Sequence, residues 1–460
     1  MSHPLDGLRE AGRTHITLGV TDIDGVMRGK TVALDQLTAA DGKATICDCV
    51  LGWDIDDQLY DRQGYTGWET GYPDVGLAVL PDTLRRVPRI DRQTDPNAAV
   101  GAAETQPLVL CEFDGEAAAL CPRALLRRVV GMAEDMGFSV RCGFEYEFFL
   151  FSEQPTAARR RGYRDLKPVT DGNFGYTVLR IAGQSRFHDG LIAWCEALGA
   201  PLTALHTENG PGLWEAALAP ADALEAADRA AVFRTYLKVY GLSHGLMPTF
   251  MAKWSPTYQG QGGHIHISLT HRDTGQPAFF DDAREAAISQ TMHHFLGGQQ
   301  RFLPEFAVLS APTINSYKRL CPDTWAPTSA TWGIDNRTCA LRVVGRSPGS
   351  RRVEFRVPGS DANPYLALAA AVLTGLEGIR GELEPGPATE GNAYAPSGQD
   401  HARLPGSLAQ ATALFRDSAL ARTHLGAAFV DQFCLSREWE VARFAAAVTD
   451  WELDRYFEAI

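Results

Sequence analysis

Alternating apolar and polar residues predict two strands that each carry one polar face. In residues 262–269, with the sequence GGHIHISL, His264, His266 and Ser268 alternate with isoleucine and leucine. Because successive side chains of a strand point to opposite faces, we expect both histidines on one face and the apolar side chains on the other. An isolated pair of this kind fits a solvated sheet face as well as a functional site.

The segment 143–151, GFEYEFFLF, has the same two-residue period. Glu145 and Glu147 fall on one face, and aromatic side chains fall on the other. Burying two carboxylates in so apolar a strand is costly unless a cation compensates their charge. A metal site and the exposed edge of a half-buried strand are therefore the two interpretations.

The N-terminal quarter of the chain has a sheet-forming pattern. Residues 14–113 are rich in β-branched side chains, interrupted by turn pairs such as Asp24-Gly25, which predicts a small sheet-rich domain. Beyond it, helical spacing over residues 121–137, with Pro122 near the start, predicts the first helix of a second domain.

Longer elements are predicted in this second region. The sequence favours helices over 220–241 and over 364–383, the second of which is rich in alanine and leucine, and a strand over 247–254. Strands and helices are intermixed, and no internal repeat is visible. The pattern therefore indicates an α+β fold.

Composition and charge narrow the class of protein. Of the 460 residues, 45% are apolar and 22% charged, as in a soluble globular protein. The balance of 56 acidic and 43 basic residues gives a formal charge of -13, so we expect neither nucleic acid nor a membrane surface as partner.

The nine scattered cysteines form no Cys-x-x-Cys pair, which indicates reduced thiols. Since no apolar leader or membrane-spanning run is visible, we predict a cytoplasmic location.

Two glycine-rich segments resemble nucleotide-binding loops only superficially. In GVMRGKT, residues 25–31, three residues separate Gly25 from Gly29, whereas a phosphate loop needs four. The run QGQGGH, residues 259–264, lacks the strand-then-helix context of a dinucleotide fold. A nucleotide would have to be bound in another way.

Three further glutamates extend the acidic set. Glu208 and Glu215 are joined by a Gly/Pro turn that would bring both carboxylates to one site, and Glu354 lies in the segment SRRVEFRVPG. Mg²⁺ and Mn²⁺ prefer oxygen ligands with an occasional imidazole. Five glutamates and a histidine face could therefore hold two such cations.

Five arginines lie close together in the sequence: Arg319, Arg337, Arg342, Arg352 and Arg356. Their planar guanidinium groups suit phosphates and carboxylates. Arginines combined with metal ions are what phosphoryl transfer requires when no phosphate loop is present. A set of unrelated surface arginines is the alternative.

Six segments, in order along the chain, resemble those of the glutamine synthetase family: GFEYEFFLF, ENGPGLWE, GGHIHISL, NSYKRLCPDTWAPT, WGIDNRTCALRV and RRVEFRVPGSDANPYLALAA. The resemblance implies a β-grasp N-terminal domain over residues 1–115. It implies a catalytic domain over 116–460, with a curved antiparallel sheet and flanking helices. It also implies a homo-oligomer of stacked hexameric rings, a dodecamer, with active sites between neighbouring subunits.

The resemblance also implies a role for each matching residue. One metal ion would be held by Glu147, Glu208 and Glu215, and the other by Glu145, His264 and Glu354. The ATP-binding residues would be His266, Ser268, Arg342 and Arg352. The acid substrate would be held by Arg319, Arg356, Gln259 and Gly260. The catalytic residues would be Arg337, Asp54 and Trp325.

Three departures from the family pattern bear on the substrate. Trp325 stands where ammonia-using members carry a glutamate, and either faces an alkylammonium or only packs in a loop. Gln259 replaces an asparagine that grips glutamate, so an acid other than glutamate is an alternative. Asp54 is followed by acids instead of serines, and either attracts a cationic amine or caps a turn.

These observations predict an ATP-dependent ligase with two or more Mg²⁺ or Mn²⁺ ions per active site. ATP would phosphorylate the γ-carboxylate of glutamate, and a primary amine other than ammonia would displace the phosphate to give a γ-glutamylamide. A true glutamine synthetase and a catalytically silent, ring-forming relative are the alternatives. Tyr394 lies roughly where some relatives carry a modified tyrosine, and nothing local favours modification over a plain loop residue.

Overall fold

Two β-sheets organise the chain in the computed structural model, which describes residues 5–39, 42–61, 64–89, 105–395 and 401–460. The N-terminal sheet consists of β1 (His15–Thr21), β2 (Met27–Ala33), β3 (Lys43–Cys47), β4 (Asp74–Val79), β5 (Arg85–Pro88) and β6 (Thr105–Phe113). Its order is β2-β1-β6-β4-β3, with β5 also paired to β6; β1 and β6 run parallel and the other pairs antiparallel. Residues 25–31 lead into β2 and not into a helix, as expected for a segment that is not a phosphate loop.

The larger sheet is built around one long strand. Its members are β7 (Phe138–Phe151), β8 (Leu202–Thr207), β9 (Leu213–Leu218), β10 (Ala221–Asp222), β11 (Met247–Thr249), β12 (Gly263–His271), β13 (Trp332–Ile334), β14 (Leu341–Val344) and β15 (Arg352–Phe355). The order is β13-β14-β15-β12-β7-β9-β8, and β10 and β11 also pair with β7. All pairings are antiparallel except that of β13 with β14.

Helices cover the sheets. They are α1 (Asp6–Glu10), α2 (Leu34–Ala39), α3 (Pro122–Asp135), α4 (Pro155–Arg160), α5 (Val178–Gly183), α6 (Ser185–Ala197), α7 (Ala223–Ser243), α8 (Gln290–Ser310), α9 (Ser316–Arg319), α10 (Pro364–Arg380), α11 (Leu408–Asp417), α12 (Ala419–Leu425), α13 (Ala427–Ala446) and α14 (Asp450–Tyr456). Helix α10 is buried along most of its length and contacts α3, α7 and α8. The Asn363 side chain accepts hydrogen bonds from the first turn of this helix and fixes its start.

The predicted α+β fold class is confirmed, with one local error. The strand predicted over 247–254 ends at Thr249, because the following backbone pairs with a distant side chain instead of a strand. The Asn315 amide accepts a hydrogen bond from the Lys253 N–H at 2.7 Å and donates one to the Lys253 carbonyl at 2.8 Å. The division at residues 115 and 116 stays a prediction.

A buried ion network ties the N-terminal sheet to the helices. Arg123 of α3 donates to Glu112 of β6 at 2.7 Å and to both carboxylate oxygens of Asp228 in α7 at 2.9 Å. Tyr365 of α10 donates to the same aspartate at 2.8 Å. Four elements therefore share one set of buried charges.

We expect Arg123→Ala to destabilise the protein by about 3–5 kcal/mol, because buried Asp228 would lose its cation and buried Glu112 would keep only the more exposed Arg127. The thermal unfolding midpoint, followed by calorimetry, measures this loss. Arg272→Ala is the matched control, since Arg272 pairs with Glu134 where both side chains are about half exposed, and it should cost under about 1 kcal/mol. Equal midpoints for the two variants would contradict the assignment.

Candidate active site

Strand register brings the acidic and imidazole side chains to one face of the larger sheet. Strands β15, β12, β7 and β9 are neighbours, and each places alternate residues on the same face. The residues that lie opposite one another are His264 and Glu145, His266 and Glu354, and Glu147 and Glu215. The apolar partners Ile265 and Ile267 are fully buried on the other face, which confirms the predicted orientation of this strand.

Glu208 joins this face through a tight turn. It follows β8, and its N–H donates to the carbonyl of Leu213 at the start of β9. The turn requires Gly212, whose φ is 72° and where an added Cβ would lie 2.6 Å from the Leu150 carbonyl oxygen. The Gly/Pro turn thus brings the carboxylates of Glu208 and Glu215 together, as predicted.

The site is a cavity of about 1140 Å³. The predicted site residues that line it are Glu145, Glu147, Glu208, Glu215, Gln259, His264, His266, Trp325, Arg337, Arg342, Arg352, Glu354 and Arg356. Ser268 lines an adjoining cavity of about 360 Å³, which shares Glu145, His266, Arg351 and Arg352 with the larger one. Thirteen of the predicted site residues therefore line one cavity, and Ser268 lines the adjoining one.

Three groups of side chains could each hold a metal ion, since their ligand atoms lie within 4.8 Å of one another. The groups are Glu145, His266 and Glu354; Glu145, Glu215 and His264; and His206, Glu208 and Glu215. His266 Nε2 lies 2.9 Å from Glu145, and His264 Nδ1 lies 3.6 Å from Glu354. Both histidines therefore stand within reach of a cation, and the predicted division between them stays a prediction.

The carboxylates of β7 and β9 are short of positive charge. Burial, and then repulsion from the neighbouring glutamates, raises the pKa of Glu215 well above its usual value. Burial likewise raises the pKa of Glu147 to about 7, although Arg319 and a hydrogen bond from the Gly262 N–H oppose the shift. A divalent cation would relieve this crowding, so the donor set fits the predicted metal ions.

Glu354 lies in the opposite environment. Burial alone would raise its pKa, but Arg356, the two histidines and Arg342 hold it well below the usual range. Burial, and then the charge of Arg356, lowers the pKa of His264 well below that of a free imidazole. The site therefore presents an ionised carboxylate beside a neutral imidazole, which are the forms that bind metal ions.

The predicted arginines fall into paired and unpaired groups. Arg342 donates to Glu354 at 2.7 Å and also bonds Asp335, and Arg352 donates to His266 Nδ1 at 3.0 Å. Arg337 is exposed at the cavity and forms no ion pair with another described residue. It is the arginine most available to an incoming anion.

Arg319 and Gly260 lie behind the cavity wall. Arg319 is 4% exposed and donates to the carbonyls of Val357 and Arg356 at 2.9 and 3.3 Å. A Cβ at Gly260 would lie 2.6 Å from the Arg319 side chain, so only glycine fits there. Arg319 thus supports Arg356 from behind within this chain.

Trp325 lines the cavity and is 52% exposed, so it is not a buried packing residue. Its backbone has φ 61°, a conformation that is rare for aromatic residues. Arg356 donates to the Trp325 carbonyl at 3.3 Å, and the Tyr394 hydroxyl donates to the next carbonyl, that of Ala326, at 3.1 Å. Neighbouring side chains thus hold the strained backbone in place.

Asp54 does not line the cavity. Its Oδ1 accepts hydrogen bonds from the N–H groups of Asp56 and Gln58, both at 2.9 Å, and its Oδ2 accepts one from Trp439 Nε1 at 2.9 Å. Within this chain Asp54 therefore caps a turn. Its expected action on a neighbouring subunit stays a prediction.

Sequence reasoning missed two residues at the acidic face. His206 Nε2 lies 3.1 Å from Glu208 and 3.5 Å from Glu215, and the Tyr176 ring stacks on the imidazole at 4.5 Å. His206 precedes Glu208 by two positions, so the strand period could have identified it. Tyr176 comes from an irregular segment with positive φ, and no periodic signal marks it.

A cavity that gathers carboxylates and imidazoles beside arginines is suited to phosphoryl transfer assisted by divalent cations. Fold and site together define the class of ATP-dependent ligases. The family model of the glutamine synthetase catalytic domain matches residues 119–456, and the chain belongs to the glutamine synthetase family. The predicted family and enzyme class, an ATP-dependent carbon–nitrogen ligase, are confirmed.

Similar proteins include enzymes named for different nitrogen substrates. The chain is 38% identical over 451 residues to type-1 glutamine synthetase 2 of Dictyostelium discoideum, covering 97% of this chain and 84% of the relative. It is 35% identical over 451 residues to glutamate–isopropylamine ligase of a Pseudomonas species, covering 97% and 95%. A solved GmaS/ADP complex superposes with a TM-score of 0.83 at 25% identity and covers 99% of this chain and 100% of that one. No described helix is long and apolar enough to cross a membrane.

Proposed function

We propose that this ligase joins the γ-carboxylate of glutamate to a primary amine other than ammonia. The observation that carries the proposal is the half-exposed ring of Trp325 at the acidic cavity, where ammonia-using members carry a glutamate. An indole ring offers apolar area and a cation–π face to an alkylammonium. The likeness to a glutamate–isopropylamine ligase supports the same conclusion.

ATP would bind across the two adjoining cavities. We expect the nucleoside in the smaller cavity, which Ser268 lines. His266 and Arg352 line both cavities and would contact the phosphates where the two cavities meet. Bound Mg²⁺ or Mn²⁺ ions would neutralise the phosphate charges. Arg337 and Arg342 would stabilise the charge that develops on the transferred phosphoryl group.

The proposed reaction has two steps. A γ-carboxylate oxygen of glutamate attacks the terminal phosphorus, ADP leaves, and an acyl phosphate forms. The bound alkylammonium then loses a proton to solvent, and the free amine nitrogen attacks the acyl carbon. Inorganic phosphate leaves and takes up the second proton that the nitrogen loses, which gives the amide. Arg356, supported by Arg319, would hold the acid substrate together with Gln259 and Gly260.

The assembly is part of the proposal. We expect a homo-oligomer of stacked hexameric rings in which Asp54 faces the cavity of a neighbouring subunit and attracts the cationic amine. Its turn-capping hydrogen bonds hold the carboxylate in position.

Phosphate release with glutamate, ATP and a panel of amines tests the proposal. We expect kcat/KM to be at least tenfold higher for the best primary amine than for ammonia. Highest kcat/KM with ammonia would instead identify a true glutamine synthetase, the second candidate, which the 38% identity to such an enzyme favours.

The two histidines of β12 should differ in their effect on metal affinity. We expect His264→Ala to weaken Mn²⁺ binding about tenfold more than His266→Ala, because His264 is the proposed ligand and His266 is assigned to the phosphates. Titration calorimetry of each variant with Mn²⁺ alone measures the difference. Equal Mn²⁺ affinities in the two variants would refute this division.

A further inference from the structure

A third cavity opens beside Trp325. This annex, as we name it, has a volume of about 670 Å³ and shares Trp325, Ile334, Asp335 and Arg337 with the large cavity. Its far wall is formed by residues 388–391. None of the roles proposed above uses this space.

The near wall of the annex is apolar and exposed. The side chains of Trp325 and Ile334 are 52% and 49% exposed, and Ala388 lines the opposite wall. Large apolar side chains that face an open cleft leave surface that an aliphatic ligand can bury, at about 25 cal/mol per Å². The annex therefore favours an apolar ligand group.

Hydrogen bonds hold the far wall in place. Asn336 Nδ2 donates to the carbonyls of Thr389 and Gly391 at 3.1 and 2.8 Å. The Thr338 hydroxyl accepts a hydrogen bond from the Ala393 N–H at 3.0 Å. Because the Trp325 loop is fixed as well, both walls of the annex are formed before a ligand binds, which lowers the cost of binding.

The annex has little net charge. Glu390 and Arg337 line it with opposite signs, and the charge of Asp335 is paired with Arg342. A second ammonium group would therefore gain little there. An uncharged ligand group would lose little on leaving water.

We propose that the annex binds the uncharged aliphatic tail of the amine substrate, and that Trp325 and Ile334 select amines by tail length. The inference rests on the proposed function, because it places the reacting nitrogen in the large cavity and the tail beyond Trp325. The substrate class is then a primary alkylamine of several carbons, and not methylamine or a diamine.

Kinetics with methylamine, propylamine, butylamine and 1,4-diaminobutane test the inference in the full-length enzyme. We expect kcat/KM to rise about fourfold per added methylene up to butylamine, and butylamine to exceed the diamine. In Ile334→Ala the butylamine-to-methylamine ratio should fall at least fivefold. In Ile334→Glu the diamine-to-butylamine ratio should rise at least tenfold. Leu414→Ala, at an exposed position on α11, should change neither ratio.

Failure of the annex inference and failure of the proposed function would give different kinetic results. Equal kcat/KM for methylamine and butylamine in the parent enzyme would overturn the annex inference and leave the proposed function standing. A diamine preference in the parent enzyme, or unchanged ratios in both Ile334 variants, would also overturn it. Absence of activity with every amine would overturn the proposed function and the inference with it.

Discussion

Glu354→Gln is expected to lower kcat about a thousandfold. The substitution removes the buried charge that stands between His264, Arg342 and Arg356. Metal-ion stabilisation of a transition state is worth several kcal/mol, and each 1.36 kcal/mol is a factor of ten in rate. Phosphate release under saturating substrates measures the loss, and calorimetry with Mn²⁺ should show weaker binding in parallel.

Glutamine keeps the size of the Glu354 side chain but leaves the buried Arg356 without its carboxylate partner. The thermal unfolding midpoint of the variant is therefore measured beside kcat. Glu134→Gln, on the exposed surface of α3, is the control and should keep full activity. A Glu354→Gln enzyme whose kcat stays within tenfold of the parent would show that this carboxylate does not serve the chemistry.

Trp325→Glu is expected to shift the preference between propylamine and ammonia at least a hundredfold toward ammonia. Loss of the exposed ring removes about 1.5–3 kcal/mol of apolar contact with the amine, and the new carboxylate attracts ammonium. The ratio of the two kcat/KM values is the quantity to measure, because it cancels differences in folded fraction.

Trp325→Phe is the matched control for this exchange. Glutamate and phenylalanine are both as poorly suited to φ 61° as tryptophan is, so backbone strain is the same in both variants. Phenylalanine keeps an aromatic face and should hold the preference within about threefold of the parent. A similar shift in both variants would mean that the ring does not contact the amine.

Local sequence patterns were enough to predict strands β7 and β12 and helices α3, α7 and α10, whereas the long helices α8 and α13 were not predicted. Residues 364–383 predicted a helix that the structure has at Pro364–Arg380, because alanine and leucine, which dominate this segment, are strong helix formers. The strand predicted over 247–254 was wrong beyond Thr249. Its backbone partner, Asn315, lies 62 positions away from Lys253, and local spacing carries no information about such a contact.

The polar faces of β7 and β12 followed from sequence, but their register did not. The two-residue period places Glu145 and His264 on polar faces, yet only the paired sheet shows that they lie opposite one another. The buried position of Arg319 could not be predicted from the sequence either. Arg319 belongs to a run of arginines that suit anions, and its place behind Arg356 depends on how the loop at Gly260 folds. The annex likewise arises from segments more than 50 residues apart that Asn336 joins.

A competition between ammonia and propylamine measures the amine preference of the enzyme in a single reaction. The enzyme is supplied with glutamate, ATP, Mg²⁺ and equal concentrations of ammonia and propylamine, and the two products are quantified by mass spectrometry. Their ratio equals the ratio of the two kcat/KM values. We expect at least ten molecules of γ-glutamylpropylamide for each glutamine, and an excess of glutamine would contradict the proposed preference for a primary amine.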